Sequence, residues 1–328
     1  MNLIMRHDLR AAPFGAPHSE LYSAALDQVE WAEKVGFTTA MTHEHHCDDG
    51  YVPSPLVFAA AMAGRTSRIG IEIRVALLPL YDPIRFAEDW AVLDLVSKGR
   101  ADVVLAVGYR RYEFALFGVD FAARGKLMDE YVEIIKKAWT GEPFEYRGQT
   151  VQVTPTPYRK PRPPIYFGGN SKAAARRAAR EGEGFIPPPN SKLIDYYHEQ
   201  CALHGKEPGE TRQQDAHGNI VYVTEDPERD WELIGPNALY CHNAYGTFAL
   251  EAMEQAKAIK DAPYSRPAET REDMEALKSY IMVTPEQAVE MAREAGALVF
   301  QPLAGGIPPE LAWKSLKLVE QKVLPHIL

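Results

Sequence analysis

The side chains best placed for chemistry stand at the carboxyl ends of short apolar runs. Gly168-Gly169-Asn170-Ser171 follows one such run and opens a segment of helical composition. Two glycines let a ligand approach the backbone, a helix start offers outward N–H groups and partial positive charge, and Ser171 adds a hydroxyl. That pattern suits a phosphate; it equally suits a tight strand-to-helix turn capped by Asn or Ser. It is neither a P-loop nor a Gly-x-Gly-x-x-Gly fingerprint. Gly108-Tyr109-Arg110-Arg111 closes a second run. Gly108 permits close approach, and Arg110 or Arg111 can pair with a phosphate through two N–H groups. The plain alternative is a solvated arginine pair near Glu113. Arg176 and Arg177, further along the segment after Ser171, read as solvated.

A third run ends in His43-Glu44-His45-His46. Strand alternation would aim His43 and His45 together and oppose them to Glu44 and His46. His-x-His at a strand end is a pattern of metal-dependent hydrolases, but such a site needs further His or Asp ligands at later strand ends. The later runs end in Gly-Gly-Asn, in Pro187-Pro188-Pro189 and in Gln301-Pro302-Leu303, so no metal is expected. Most of the cluster then reads as hydrogen-bonded structural or surface histidines, with one left as an acid/base or as a donor to a developing oxyanion. No Gly-x-Ser-x-Gly is present, and Cys47 is a weak nucleophile candidate on neighbourhood alone.

The elements that must position these residues alternate. Strands are expected at residues 3–5, 37–42, 69–78, 101–107, 165–167, 184–186, 219–223 and 297–303, with helices at 19–35, 55–63, 83–96, 121–140, 171–181, 193–204 and 308–323. Apolar periodicity supports the helices, as at Leu21, Ala24, Ala25, Val29, Ala32 and Val35. Trp90 and Leu127 read as core. Strands alternating with helices imply a parallel sheet covered by helices. Eight such units predict an α/β fold, a (β/α)8 TIM barrel with insertions after strands 4 and 7 (about 141–163 and 226–282); an open doubly wound sheet is the alternative. The first insertion reads as a hairpin around Arg147-Gly148, the second as mixed and helical in pieces. One domain over 1–328 is expected. In such a barrel the strand ends gather at one rim, where active sites sit. Tyr240, Tyr245 and Phe248 read either as an aromatic pocket lining or as core.

Composition narrows the function classes. The 328 residues are 25% charged and 46% hydrophobic, an ordinary globular balance that excludes disorder and fibrous repeats. The 45 acidic residues exceed the 36 Lys and Arg, giving −9, which argues against a nucleic-acid partner. The 3 cysteines are far apart, so no disulfide framework is expected. With no signal-like start and no apolar stretch of about 18 residues, a cytoplasmic protein that does not enter a membrane is expected.

Taken together, these segments resemble the bacterial luciferase-like flavin monooxygenases. The matches run in order: Glu44-His45-His46; Leu78-Pro79-Leu80-Tyr81-Asp82-Pro83; Ser97-Lys98-Gly99-Arg100; Phe117-Gly118-Val119-Asp120; Pro164-Ile165-Tyr166-Phe167-Gly168-Gly169-Asn170-Ser171; and Thr284-Pro285-Glu286-Gln287. The resemblance implies a usually dimeric barrel that takes reduced flavin mononucleotide (FMN) from a separate flavin reductase and uses O2 to oxidise a small organic substrate. It places His45 on the family's active-site histidine, with Glu44 beside it. Gly108, Tyr109 and Arg110, with Gly168, Gly169, Asn170 and Ser171, fall on segments that line the flavin and hold its phosphate. Arg74-Val75 falls where some members carry a non-proline cis peptide against the flavin, which makes Val75 a cofactor contact. A deazaflavin-dependent hydride transfer is the alternative within the same family; a non-catalytic flavin-binding protein, as some relatives are thought to be, and a metal-dependent barrel hydrolase are the further rivals. Ala106 and Val107 stand where light-emitting members carry Cys and Arg, which argues against light emission. Asn170 and Ala174 replace an acidic and a hydroxyl residue of those members.

Overall fold

The computed structural model describes residues 1–187, 192–211, 220–253 and 266–328. Pro188, Pro189, Asn219 and residues 254–265 of the second insertion therefore lie outside the described residues. The chain divides into two compact units, Met1–Pro53 with Asp215–Leu328, and Ser54–Gln214.

In the first unit five strands run parallel: β1 (Asn2–His7), β2 (Thr39–Thr42), β9 (Ile220–Val223), β10 (Tyr280–Val283) and β11 (Ala297–Phe300), in the order β10-β9-β11-β1-β2. Leu3, Met5, Ala40, Val223 and Phe300 are buried on them. Helix α1 (His18–Val35) packs on β1 and buries Leu21, Ala24, Ala25, Val29 and Ala32 of the expected stripe, while Val35, at its last turn, is only half-buried. The second insertion is more ordered than its polar composition suggests. It holds the 27-residue helix α8 (Pro227–Met253), the short α9 (Arg271–Ala276) and a strand, β10, that the sequence did not announce. Helix α10 (Pro285–Ala295) begins with a reciprocal cap. The Gln287 N–H donates to the Thr284 hydroxyl at 3.3 Å, and the Thr284 N–H donates to Gln287 Oε1 at 2.9 Å. Helices α11 (Pro309–Leu318) and α12 (Leu324–Ile327) complete this unit.

In the second unit β3 (Gly70–Ala76), β4 (Ala101–Leu105), β7 (Tyr166–Gly168) and β8 (Gly184–Ile186) are parallel in that order. Helices α2 (Pro55–Arg65), α3 (Pro83–Ser97), α4 (Arg111–Leu116), α5 (Arg124–Ala138), α6 (Lys172–Glu181) and α7 (Leu193–Leu203) intervene. The first insertion carries the expected hairpin, β5 (Phe144–Tyr146) against β6 (Gln149–Val151), turned at Arg147 and Gly148 with φ 49° and 74°. Trp90 is wholly buried, edge-on to Trp139 at 4.6 Å, and Trp139 donates to the Ala87 carbonyl at 3.0 Å. Leu127 departs from expectation: it is only half-buried, and Met128 takes the core position. The stripe of α5 runs through Met128, Val132 and Ile135, one residue out of phase with Leu127.

The Ser-Lys-Gly-Arg segment is a fold staple. Lys98 and Gly99 both take positive φ after α3, and Arg100 then donates five hydrogen bonds: to the carbonyls of Ser97, Ile69, Ala63 and Thr66 and to the Thr66 hydroxyl, at 2.8–3.1 Å. It satisfies the carbonyls that end α2 and lead into β3. Asp94, fully buried, is answered by Arg159 through its backbone N–H (2.8 Å) and Nε (2.7 Å).

Candidate functional site

The residues singled out for chemistry divide between the two units. In the first, β2 stops at Thr42, and His43, Glu44, His45 and His46 follow as irregular chain, all under a tenth exposed. The cluster is therefore buried, not a set of surface histidines. Glu44 and His46 do turn to the same side, with His46 Nε2 2.9 Å from Glu44 Oε1. His45 sits in an aromatic corner, edge-on to Tyr51 (4.9 Å between rings, 77°) and tilted against Phe248 (4.7 Å). Among the described residues no group of three or more His, Cys, Asp or Glu gathers as a metal site. Cys47 is exposed, at φ 51°.

Sequence reasoning missed the polar groups around this corner. Asp8, just past β1, accepts from Gln301 Nε2 at 2.7 Å and from the Tyr245 hydroxyl at 3.2 Å. Arg10 is wholly buried and donates to Asp48 through Nε (2.9 Å) and Nη2 (2.5 Å), with its guanidinium 4.5 Å from the Tyr245 ring, 4.7 Å from Phe248 and 5.1 Å from Tyr51. Such a charge survives burial because a carboxylate and three ring faces replace its water. Burial, aided by Asp8, pushes the Cys241 thiol up to about 12, which keeps it inert. Tyr245 and Phe248 settle their dual reading here, for both pack on the His45 corner, whereas Tyr240 reaches out to donate to Asp49.

In the second unit, β3 is irregular between Arg74 and Ala76, and the Arg74–Val75 peptide is cis. Val75 packs on an apolar cluster of Val104, Tyr166 and Ile186, so that four neighbouring strands each contribute one side chain. Gly168 lies flat on this cluster: a Cβ there would stand 3.0 Å from Val75 Cγ1 and 3.3 Å from Val104 Cγ1. Gly108 is required twice over, by φ 75° and by the Phe114 ring, 2.9 Å from where a Cβ would be. Beyond it the two arginines part. Arg110 is buried, 3.7 Å from the buried Glu113, while Arg111 stacks on Phe121 at 4.4 Å. Tyr109 is exposed.

Gly169 has φ 140°, and Ser171 caps α6, its hydroxyl accepting from the Ala174 N–H at 3.2 Å; its carbonyl accepts from Ala175. By helix geometry the N–H groups of Lys172 and Ala173 have no intrahelical acceptor, and Asn170 beside them is half-buried. Arg177 is not solvated as expected: it is buried, donating to Asp129 at 2.6 Å and to the Gly125 carbonyl at 3.1 Å. Arg176 donates to the Tyr196 hydroxyl. The glycines bare the backbone beside a buried apolar cluster, and the start of α6 offers donors to an anion, a donor set and an apolar surface whose chemistry fits a flavin.

Comparison with known proteins agrees with the fold and the motifs. A flavin-dependent trigonelline monooxygenase, oxygenase component, from Acinetobacter baylyi is 26% identical over 171 residues, 50% of this chain and 47% of its own. An F420-dependent glucose-6-phosphate dehydrogenase from Segniliparus rotundus is 25% identical over 90% of this chain and 91% of its own. The first curated relatives are matched over about half of their own length. Among solved structures, the oxygenating constituent of 3,6-diketocamphane monooxygenase from Pseudomonas putida, in complex with FMN, superposes with a TM-score of 0.71 over 100% of this chain and 99% of its own at 19% identity, a likeness of fold. The family model for luciferase-like monooxygenases matches residues 8–301. With the sequence match running through nearly the whole chain and the fold shared, the chain belongs to the luciferase-like monooxygenase family.

Proposed function

We propose that the protein is the oxygenase of a two-component, FMN-dependent monooxygenase that oxidises a small organic substrate with O2. The observation that carries this reading is the second unit's apolar cluster of Val75, Val104, Tyr166 and Ile186, with Gly168 flat upon it and the start of α6 next in the chain. A flavin needs a dry apolar surface for its ring and an anion site for its tail. Val75 and Gly168 would meet the ring. Gly108 and Tyr109 would line the cofactor with backbone and phenol. Gly169, Asn170 and Ser171, with the first N–H groups of α6, would hold the phosphate, and Arg110 would add positive charge. When bound, reduced flavin supplies the electrons with which O2 is activated. His45 would hold or move the proton at the substrate, with Glu44 beside it, in a corner from which Tyr51 and Phe248 exclude water.

This reading carries further proposals: a separate flavin reductase, a homodimer, one catalytic body over the whole chain and a cytoplasmic location. Among the described residues no helix is long and apolar enough to cross a membrane. The second reading is a deazaflavin-dependent hydride transfer. It is favoured by the F420-dependent relative, which aligns with 90% of this chain where the trigonelline oxygenase aligns with 50%. Anaerobic titration with reduced FMN and, separately, with reduced deazaflavin distinguishes the two. Tight binding of FMN, followed by rapid oxidation on mixing with O2, is the expected result. Binding of the deazaflavin alone would give the function to the second reading.

A further inference from the structure

Between His45 and Tyr51 the chain makes a turn that few sequences would choose. Cys47, Asp49 and Gly50 all take positive φ (51°, 43° and 74°), and two of them are not glycine. At Gly50 a Cβ would strike the His18 ring at 1.6 Å. Backbone hydrogen bonds hold the turn, from the Tyr51 N–H to the Asp48 carbonyl at 2.8 Å and from the Ala11 N–H to the Asp49 carbonyl at 2.9 Å, and two side chains add to them. Arg10 grips Asp48, and the Tyr240 hydroxyl donates to Asp49.

What the turn delivers is Tyr51. Its ring stands edge-on to His45, and its hydroxyl lies 2.6 Å from that of Tyr245 on α8. The Tyr245 oxygen also accepts from Arg6 Nη2 at 3.1 Å, and its own proton goes to Asp8 at 3.2 Å. Asp8 is held in turn by the Gln301 amide. The polarity of the pair follows: Arg6 and Tyr51 donate to Tyr245, and Tyr245 donates to Asp8. Phe248, three residues beyond Tyr245, closes the other side of the imidazole.

We propose that Tyr51 and Tyr245, anchored on Asp8, are positioning residues that fix the ring plane of His45, so that the imidazole is oriented by α8 as well as by its own loop. This rests on reading His45 as the acid–base residue. A purely space-filling role needs only the rings. Phenylalanine at 51 and 245 would fill the same volume without burying two hydroxyls beside a carboxylate and two guanidinium groups, an arrangement tolerable only when every polar group is satisfied. Two hydroxyls tied in series to a fixed carboxylate select one rotamer for each ring, and the ring edge then selects one plane for His45. Burial and the neighbouring Asp8 carboxylate raise the Tyr245 phenol well above its ordinary range, so it stays a donor.

The test reads His45 directly, in the full chain without cofactor. Histidine is labelled with carbon-13, the imidazole Cε1–H line of His45 is assigned by its loss in His45→Gln, and spectra of the wild type and Tyr245→Phe are compared. That variant keeps the ring and removes the hub hydroxyl. The expected result is a His45 line that moves or splits while the line of the exposed His326 on α12 stays put. An unmoved His45 line, whatever happens to Tm, overturns the proposal and leaves the tyrosines as packing. Should Tyr245→Phe fail to fold, Tyr51→Phe removes a single hydroxyl at the end of the chain of bonds, and the same two outcomes decide. A His45→Gln protein that oxidises substrate at the wild-type rate, beside the spectral effect in Tyr245→Phe, would sink the acid–base reading of His45 while leaving the positioning intact.

Discussion

The Arg10–Asp48 pair makes an asymmetric prediction. The Arg10 side chain is 0% exposed and Asp48 is 14% exposed, so the two cannot be removed at equal cost. Asp48→Ala strands a guanidinium among Tyr51, Tyr245 and Phe248, with only the long contact to the Cys241 carbonyl (3.4 Å) and the Asp8 region to hold it. Breaking a buried pair in this sense costs about 3–5 kcal/mol. Arg10→Met leaves Asp48 at the edge of the site, where it turns to water, and puts a thioether of similar length against three rings. The loss is then about 1–2 kcal/mol. In the double variant the stranded charge is gone, so its cost should sit near that of Arg10→Met alone. The coupling then equals the cost of Asp48→Ala itself, about 3–5 kcal/mol, far from additive. Urea unfolding of all four proteins, followed by circular dichroism, measures each term. Arg10→Met costing as much as Asp48→Ala, or costs that add within about 0.5 kcal/mol, would refute the account of this buried cluster.

Further outcomes follow from other parts of the structure. Gly168→Ala drives a methyl against Val75 and Val104; it should cost about 1–3 kcal/mol by overpacking and weaken flavin binding at least about tenfold, about 1.4 kcal/mol, in a titration, with partial recovery in Gly168→Ala/Val75→Ala. His7 is buried, its ring nitrogens have no partner among the described residues, and burial lowers it from 6.5 to about 3. The folded state therefore refuses a proton that the unfolded chain accepts, and stability is lost as pH falls from about 6.5 toward 3, by up to about 1.4 kcal/mol per unit. His7→Leu should flatten that acid limb in unfolding curves without lowering stability at pH 7, and a limb of unchanged slope would contradict it. Cys47 is exposed while Cys201 and Cys241 are buried. One thiol should react fast with a disulfide reagent at pH 8, and a fast thiol persisting in Cys47→Ser would disprove that exposure.

The parallel α/β fold was legible because its strands are continuous apolar runs and its helices carry clear 3.6-residue periodicity. Strand β10 was missed because Tyr280-Ile281-Met282-Val283 is only four residues long and follows a polar stretch with no glycine or proline to mark its start. Helix α8 was hidden by Gly235-Pro236 and Gly246, which read as breaks although the helix runs through them. His45, Gly108 and Gly168 declared themselves by residue type at strand ends. The groups around His45 did not, since Tyr51 and Tyr245 meet across 194 residues of sequence and no local pattern signals such a contact. Glu44 and His46 do meet, although β2 has ended before them, and the aromatic corner of His45 is made by Tyr51 and by Phe248 of α8, which local periodicity does not see. Ser171, which its residue type left open between a phosphate contact and a helix cap, is the cap of α6 in the structure.

The central claim is that this chain holds a flavin, with its ring on the Val75 patch and its phosphate at the start of α6. The most direct measurement is a crystal structure with FMN soaked in. Phosphate oxygens within hydrogen-bond reach of the Lys172 and Ala173 amides, and a ring stacked against Val75 and Gly168, are the predicted result. A nucleotide bound elsewhere, or a metal ion seated among His43, His45 and His46 with that patch bare, would contradict it.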